Sequence, residues 1–79
     1  MYDLSFRSDD PLDHLPRALD QLRRASFTLH RAAVETGDGD TAWIRVRITE
    51  PADGAAETFR CRVGNMVGIS DLDLTLANC

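Results

Sequence analysis

Residues 41–50, TAWIRVRITE, alternate without a break, with Ala42, Ile44, Val46 and Ile48 on one parity and Thr41, Trp43, Arg45, Arg47 and Thr49 on the other. A period of two sends successive side chains to opposite faces of a strand. The apolar row needs a core and the charged row cannot enter one, so the chain has to build a sheet covered on a single face. With 79 residues it can fill only one such core, which makes residues 1–79 a single domain near the size where oligomerisation often adds needed burial. A hydrophobic share of 43% beside 28% charge is that of a chain that folds rather than one that stays disordered.

The same alternation opens the chain, where Tyr2, Leu4 and Phe6 interleave with Asp3, Ser5 and Arg7. Leu12, Leu15, Leu19 and Leu22 then recur at helical spacing, with Arg17, Asp20, Arg23 and Arg24 mostly off the stripe. The helix start lies in SDDPLDHLPRAL, residues 8–19. Asp10 as cap would leave Pro16 beyond the first turn, at the cost of a backbone bond, whereas Asp13 as cap places Pro16 at the third helical position, where no intrahelical donor is missed. The later start is therefore expected. Residues 27–35, FTLHRAAVE, read as a strand, and TGDGD after them supplies the glycine and aspartate cluster of a hairpin turn back into residues 41–50.

Pro51 suits the first turn of a second helix with Ala52, Ala56, Phe59, Val63 and Met66 as its stripe, Gly54 weakening the start and Gly64-Asn65 offering a C-terminal cap. In the closing strand Val67 and Ile69 share one parity and Leu72, Leu74 and Leu76 the other, which predicts either a bulge near Ser70-Asp71 or an early end. Strand, helix, strand, strand, helix, strand is a split β-α-β repeated twice. It gives an α+β, ferredoxin-like βαββαβ sandwich: four antiparallel strands, the first and third central, with both helices on one face. The other face would carry Asp3, Ser5, Arg7, Trp43, Arg45 and Arg47.

Architecture alone does not choose a function, so the residues must. The net charge of −4, with nine arginines and no lysine, argues against nucleic acid held by counterion release. An RNA-recognition sheet also needs more stacking aromatics than Trp43. Copper or zinc carriage needs paired thiolates in the first loop, which has none, so no metal is expected; Cys61 and Cys79 read as reduced, structural or incidental thiols. An acylphosphate-hydrolysing version would want a phosphate-cradling first loop, and this one is acidic. No catalytic constellation accompanies His14 or His30, which read as solvent or edge residues, and a small enzyme built on either is the weakest reading. No apolar run approaches the ~20 residues needed to span a bilayer. The first residues, MYDLSFRSDD, lack a basic segment and a signal-type core, so no membrane association and a cytoplasmic location are expected.

Across nearly the whole chain the sequence resembles the ACT domain, the small regulatory module of amino-acid metabolism, and especially the short small subunit of acetolactate synthase. In DDPLDHLPRALDQLRRASF, Pro11, Leu15, Arg17 and Phe27 fit that family's loop, first helix and entry to the second strand, and IRVRITEP resembles its third strand. The resemblance implies a non-catalytic regulatory subunit whose partner is the thiamine-diphosphate-dependent large subunit in branched-chain amino-acid biosynthesis. It also implies no cofactor on this chain and a homodimer joined at the edge formed by Phe27, Thr28, Leu29, His30 and Arg31. The runner-up is a stand-alone ACT-type sensor that binds an amino acid.

Departures from the family's pattern bear on the effector. Responsive members carry a glycine after the loop proline, where this chain has Leu12, and an asparagine after the strand-opening aromatic, where it has Thr28. Asp9, Asp10 and Asp13 would repel a carboxylate and could attract an ammonium group. Asp10, Pro11, Leu12, Asp13 and Thr28 are the positions a branched-chain amino acid would use, and weak or no valine feedback is expected. Trp43, with Arg45 and Arg47, is either an anchor for the large subunit or a strand aromatic resting on arginine stems.

Overall fold

Leu4, Phe6, Ile44, Val46 and Ile48 are fully or almost fully buried, and they all come from one face of two neighbouring strands. The computed structural model describes residues 1–37 and 39–77. Its elements run β1 (Tyr2–Ser8), α1 (Pro11–Arg24), β2 (Thr28–Thr36), β3 (Ala42–Thr49), α2 (Ala55–Gly64) and β4 (Ile69–Leu76). The four strands form one antiparallel-paired sheet in the order β2-β3-β1-β4, so β1 and β3 are central and β2 and β4 are edges. The core is closed by Ala18 and Leu22 of α1 and by Phe59 and Val63 of α2. This is the expected ferredoxin-like sandwich, with its open face carrying the expected side chains.

Helix α1 starts earlier than the sequence argument preferred. Asp10 is its N-cap residue and Pro11 its first helical residue, which leaves Pro16 inside the helix. The cost is tolerated because Pro16 is exposed, so the carbonyl left without a helical donor lies on the solvent side. The buried line of α1 is His14, Ala18 and Leu22, spaced four apart, with Leu15 and Leu19 packed beside it. Leu12, expected to begin the stripe, is 88% exposed in the first turn.

Helix α2 is shorter than expected. Pro51 and Ala52 lie in the turn before it, and Gly54 is the N-cap residue at φ +89°, in the left-handed region that glycine enters without strain. Gly54 therefore stops the helix from starting sooner. Glu50 supplies the missing cap, its Oε2 accepting from the Ala56 N–H at 2.9 Å. The same carboxylate is the first cause raising the Tyr2 hydroxyl above its ordinary pKa. At the other end Asn65 is in the right-handed helical region, so no left-handed cap forms.

The parity switch in the last strand is a bulge. Ser5 pairs with Asp73 and Arg7 with Ser70, so two residues, Asp71 and Leu72, face the single Phe6, and Asp71 takes φ +52°. Ile69, Leu72 and Leu74 thereby pack against the core on one side, and Leu76 follows on the same side but stays exposed. Leu72 closes over α2, where a Cβ on Gly64 would stand 3.1 Å from its Cδ2.

Candidate functional site

Strand β1 carries its inward parity one step past Phe6, which places the Ser8 hydroxyl inside the molecule at the mouth of the β1–α1 turn. His14, one turn into α1, is also buried. Its Nε2 lies 2.8 Å from the Val67 carbonyl oxygen, which can only accept, so Nε2 carries a proton. In the neutral ring Nδ1 then accepts from the Ser8 hydroxyl at 2.5 Å, and Ser8 Oγ in turn accepts the Asp10 N–H at 3.1 Å. The His14 ring thus ties the first loop to the segment before β4, and it is a buried polar lock rather than the solvent or edge residue the sequence suggested.

The lock is closed from the outside as well. Asp9 N–H donates to the Gly68 carbonyl at 3.2 Å, and the Asp9 carboxylate occupies the space where any Gly68 Cβ would stand. Gly68 has φ +93°, so both the backbone and the carboxylate call for glycine here. At the start of α1, Pro11 has no N–H, and the Asp13 and His14 N–H groups both close on the Asp10 carbonyl. Little donor capacity is left for an anion, and Asp9, Asp10 and Asp13 surround it. Ser8 and His14 are buried and the ring's far nitrogen meets a backbone carbonyl rather than a carboxylate, so this pair lacks both the access and the third member of a nucleophilic triad.

The five effector positions do not converge within one chain. Asp10, Pro11, Leu12 and Asp13 sit beyond the end of β1 at Ser8, which is level with Ala42, whereas Thr28 is level with Thr49 at the opposite end of the sheet. The edge residues are split too. Leu29, His30 and Arg31 are exposed on β2, with a bulge at His30 whose Nε2 meets Thr49 Oγ1 at 2.7 Å. Phe27 precedes the strand and turns inward, its ring centroid 5.6 Å from that of Phe59.

Beyond the turn, two arginines of the open sheet face are held in ordered contacts. Arg47 binds Asp3 through two parallel bonds, Nε to Oδ1 at 2.9 Å and Nη2 to Oδ2 at 3.1 Å. That hydrogen bonding is the first cause holding the Asp3 carboxyl below its ordinary pKa, with Arg45 and Arg31 adding to it. The Arg7 guanidinium lies 4.9 Å over the Trp43 ring and its Nε 3.6 Å from Asp71. Trp43 therefore rests on an arginine, but on its cross-strand neighbour Arg7 rather than on Arg45 or Arg47. Cys61 is an exposed free thiol on α2, while Cys79 lies outside the described residues. Among the described residues no cluster of potential metal ligands forms, and no helix is long and apolar enough to cross a membrane.

Ser8, Val67 and Gly68 escaped the sequence reading. Ser8 was legible as the next inward position after Leu4 and Phe6, and His14 from its spacing of four to Ala18 and Leu22. Nothing local pointed to Val67, whose part is played by a carbonyl 53 residues from His14.

No family model and no curated protein sequence matches the chain. Solved structures do. The C-terminal domain of the MgtC protein from Mycobacterium tuberculosis superposes with a TM-score of 0.81 at 9% identity, covering 94% of this chain and 83% of that one. The ACT domain from GTP pyrophosphokinase of Chlorobium tepidum gives 0.75 at 8% identity, covering 94% and 95%. A formyltetrahydrofolate deformylase from Pseudomonas syringae pv. tomato gives 0.76 at 14% identity over 94% of this chain, which spans only 26% of that enzyme. What the chain shares with these proteins is the ferredoxin-like βαββαβ fold of the ACT domain.

Proposed function

We propose that this chain is a non-catalytic regulatory module that acts by pairing with other polypeptides. The observation that carries this reading is β2: all nine of its residues but one are exposed, and Leu29 and Val34 stand open on its helix side although it is hydrogen-bonded to β3 alone. An unpaired edge of that length is a ready template for a second strand. Pairing of two copies through β2 would continue the sheet and cover Leu29 and Val34. Sedimentation at micromolar concentration tests it: a dimer is expected, with Val34→Lys shifting it to monomer, and a monomeric parent chain would remove the idea.

The narrower reading makes the partner the thiamine-diphosphate-dependent large subunit of acetolactate synthase, with Trp43, Arg45 and Arg47 facing it. It rests on the sequence resemblance. Bound to its partner, the module would stabilise the active form by contacting it better than the inactive one. The closed, acidic β1–α1 turn supports weak or absent valine feedback. Co-expression with the large subunit should raise acetolactate formation and co-purify both chains; unchanged activity without co-purification would overturn it.

The stand-alone amino-acid sensor keeps one supporting observation. Thr36 is level with Ala42 and Ser8, so an antiparallel β2–β2 junction would bring the partner subunit's Thr28 to the end of the sheet that holds Asp10 and Asp13. Calorimetry with valine, leucine and isoleucine separates the readings, since heat of binding by the isolated chain belongs to the sensor alone.

A further inference from the structure

All five arginines away from the open sheet face have a local partner. Arg17 meets Asp13, Arg23 and Arg24 share Asp20, Arg60 meets Glu57, and Arg62 reaches Gln21. Arg31 and Arg45, both exposed on the open face, make neither a hydrogen bond nor an ion pair with the described residues. Their placement is costly as well. Arg31 is the direct cross-strand partner of Arg47, and like charges directly opposite each other destabilise a sheet. Arg45 stands two residues before Arg47 on the same face.

These three guanidinium groups line one shallow depression of about 280 Å³ with Asp3, Ser5, Glu35 and Thr75. That volume falls just short of ordinary ligand sites, which run from ~300 Å³ upward, and leaves room only for a small group. Asp3 fixes Arg47 by two bonds and so stiffens the floor, and the Ser5 hydroxyl is opposite Arg45 in the register. Counting Arg31, Arg45 and Arg47 against Asp3 and Glu35, the depression holds a charge of +1 within a chain of net charge −4. A long polyanion would be repelled by the surrounding acid, whereas a compact one meets planar donor forks suited to paired oxygens.

We propose that the depression between Arg31, Arg45 and Arg47 on the open sheet face binds the phosphate group of a small phosphorylated molecule. Arg31 and Arg45 would supply the donors, and Arg47, already held by Asp3, would set the field and the position. The site is complete in one chain, and since Arg45 and Arg47 also face the large subunit in the narrower reading above, that partner and phosphate would compete for it. Its lining takes no residue from the β1–α1 turn, so it can be occupied whether or not that turn binds an amino acid.

The test uses the isolated chain, titrated with inorganic phosphate and then pyrophosphate at constant ionic strength, reading the arginine Nε–Hε resonances and the Trp43 indole. Saturable shifts at Arg31 and Arg45 are expected, weakened at least tenfold by Arg45→Gln and unchanged by Arg17→Gln. Arg45 is exposed and makes no hydrogen bond or ion pair with the described residues, so Arg45→Gln should fold as the parent does, and its amide spectrum verifies that. Shifts that do not saturate, or that are equal at Arg17, Arg23 and Arg24, would mean an adventitious ion only and would overturn the proposal. Saturable binding of succinate with none of phosphate would overturn it too, by assigning the site to carboxylates.

Discussion

Ser8 and His14 show how little separates a catalytic pair from a structural one. The hydroxyl donates to an imidazole, as in a nucleophilic dyad, but both groups are buried and the ring's other nitrogen is spent on the Val67 carbonyl. Removing the hydroxyl leaves the Asp10 N–H and His14 Nδ1 without their partner, and an unsatisfied buried group costs about 1–3 kcal/mol. Ser8→Ala should therefore lower the urea unfolding free energy by that amount, whereas Ser70→Ala on exposed β4 should leave it within ~0.5 kcal/mol. Asp3 gives a pH signature. Its folded pKa lies below the ordinary value, first because Arg47 hydrogen-bonds the carboxylate, so its contribution is full above the unfolded pKa and is lost as pH falls through the folded one. Asp3 is 40% exposed, which keeps that contribution small. The stability gap between the parent and Asp3→Asn should accordingly close as acid carries the pH below the ordinary aspartate range, as urea midpoints would show.

At the scale of elements, periodicity was the reliable guide and end signals were not. The alternation in β1 and β3 named every inward residue of those strands except Ser8, because a half-covered sheet leaves no freedom in which parity turns inward. The bulge in β4 was legible from the change of parity between Ile69 and Leu72. Both helices start elsewhere than the sequence predicts, for one physical reason: in neither does the proline decide the start. Pro16 argues against the start at Pro11, yet an exposed helix face lets water satisfy the abandoned carbonyl. Pro51 suits the opening of α2, yet Gly54 at positive φ and the Glu50 cap decide where it begins. It follows that Pro16→Ala should stabilise the chain, by up to about 3 kcal/mol, since it restores a helical donor at no steric cost. A raised melting temperature with an unchanged helical circular-dichroism shape would confirm it, and a lower one would show that Pro16 serves a purpose of its own. The candidate site was less legible than the fold, because its pieces come from β1, α1 and the segment before β4.

For the molecule as a whole, one layer of helices serves four strands, and the helices leave β2 largely uncovered. The thinnest dimension is 16 Å against a longest of 37 Å, so much of the chain is surface. If β2 finds its partner in a second copy, stability becomes a matter of mass action. The melting temperature should then rise with protein concentration between about 5 and about 500 µM, and it should be flat for Val34→Lys. The bulge at Asp71 and Leu72 has a consequence for the length of the chain. Without Asp71, Ile69, Leu72, Leu74 and Leu76 would fall into unbroken alternation on the helix side, with the 3.6 Å Arg7–Asp71 ion pair lost. Deleting that one residue should give a folded protein with near-parent stability, whereas deleting Arg45 from β3 would turn half of its apolar row outward and abolish folding. The last strand holds one residue of slack, a place where this gene can shorten by a codon without the sheet losing its inside and outside.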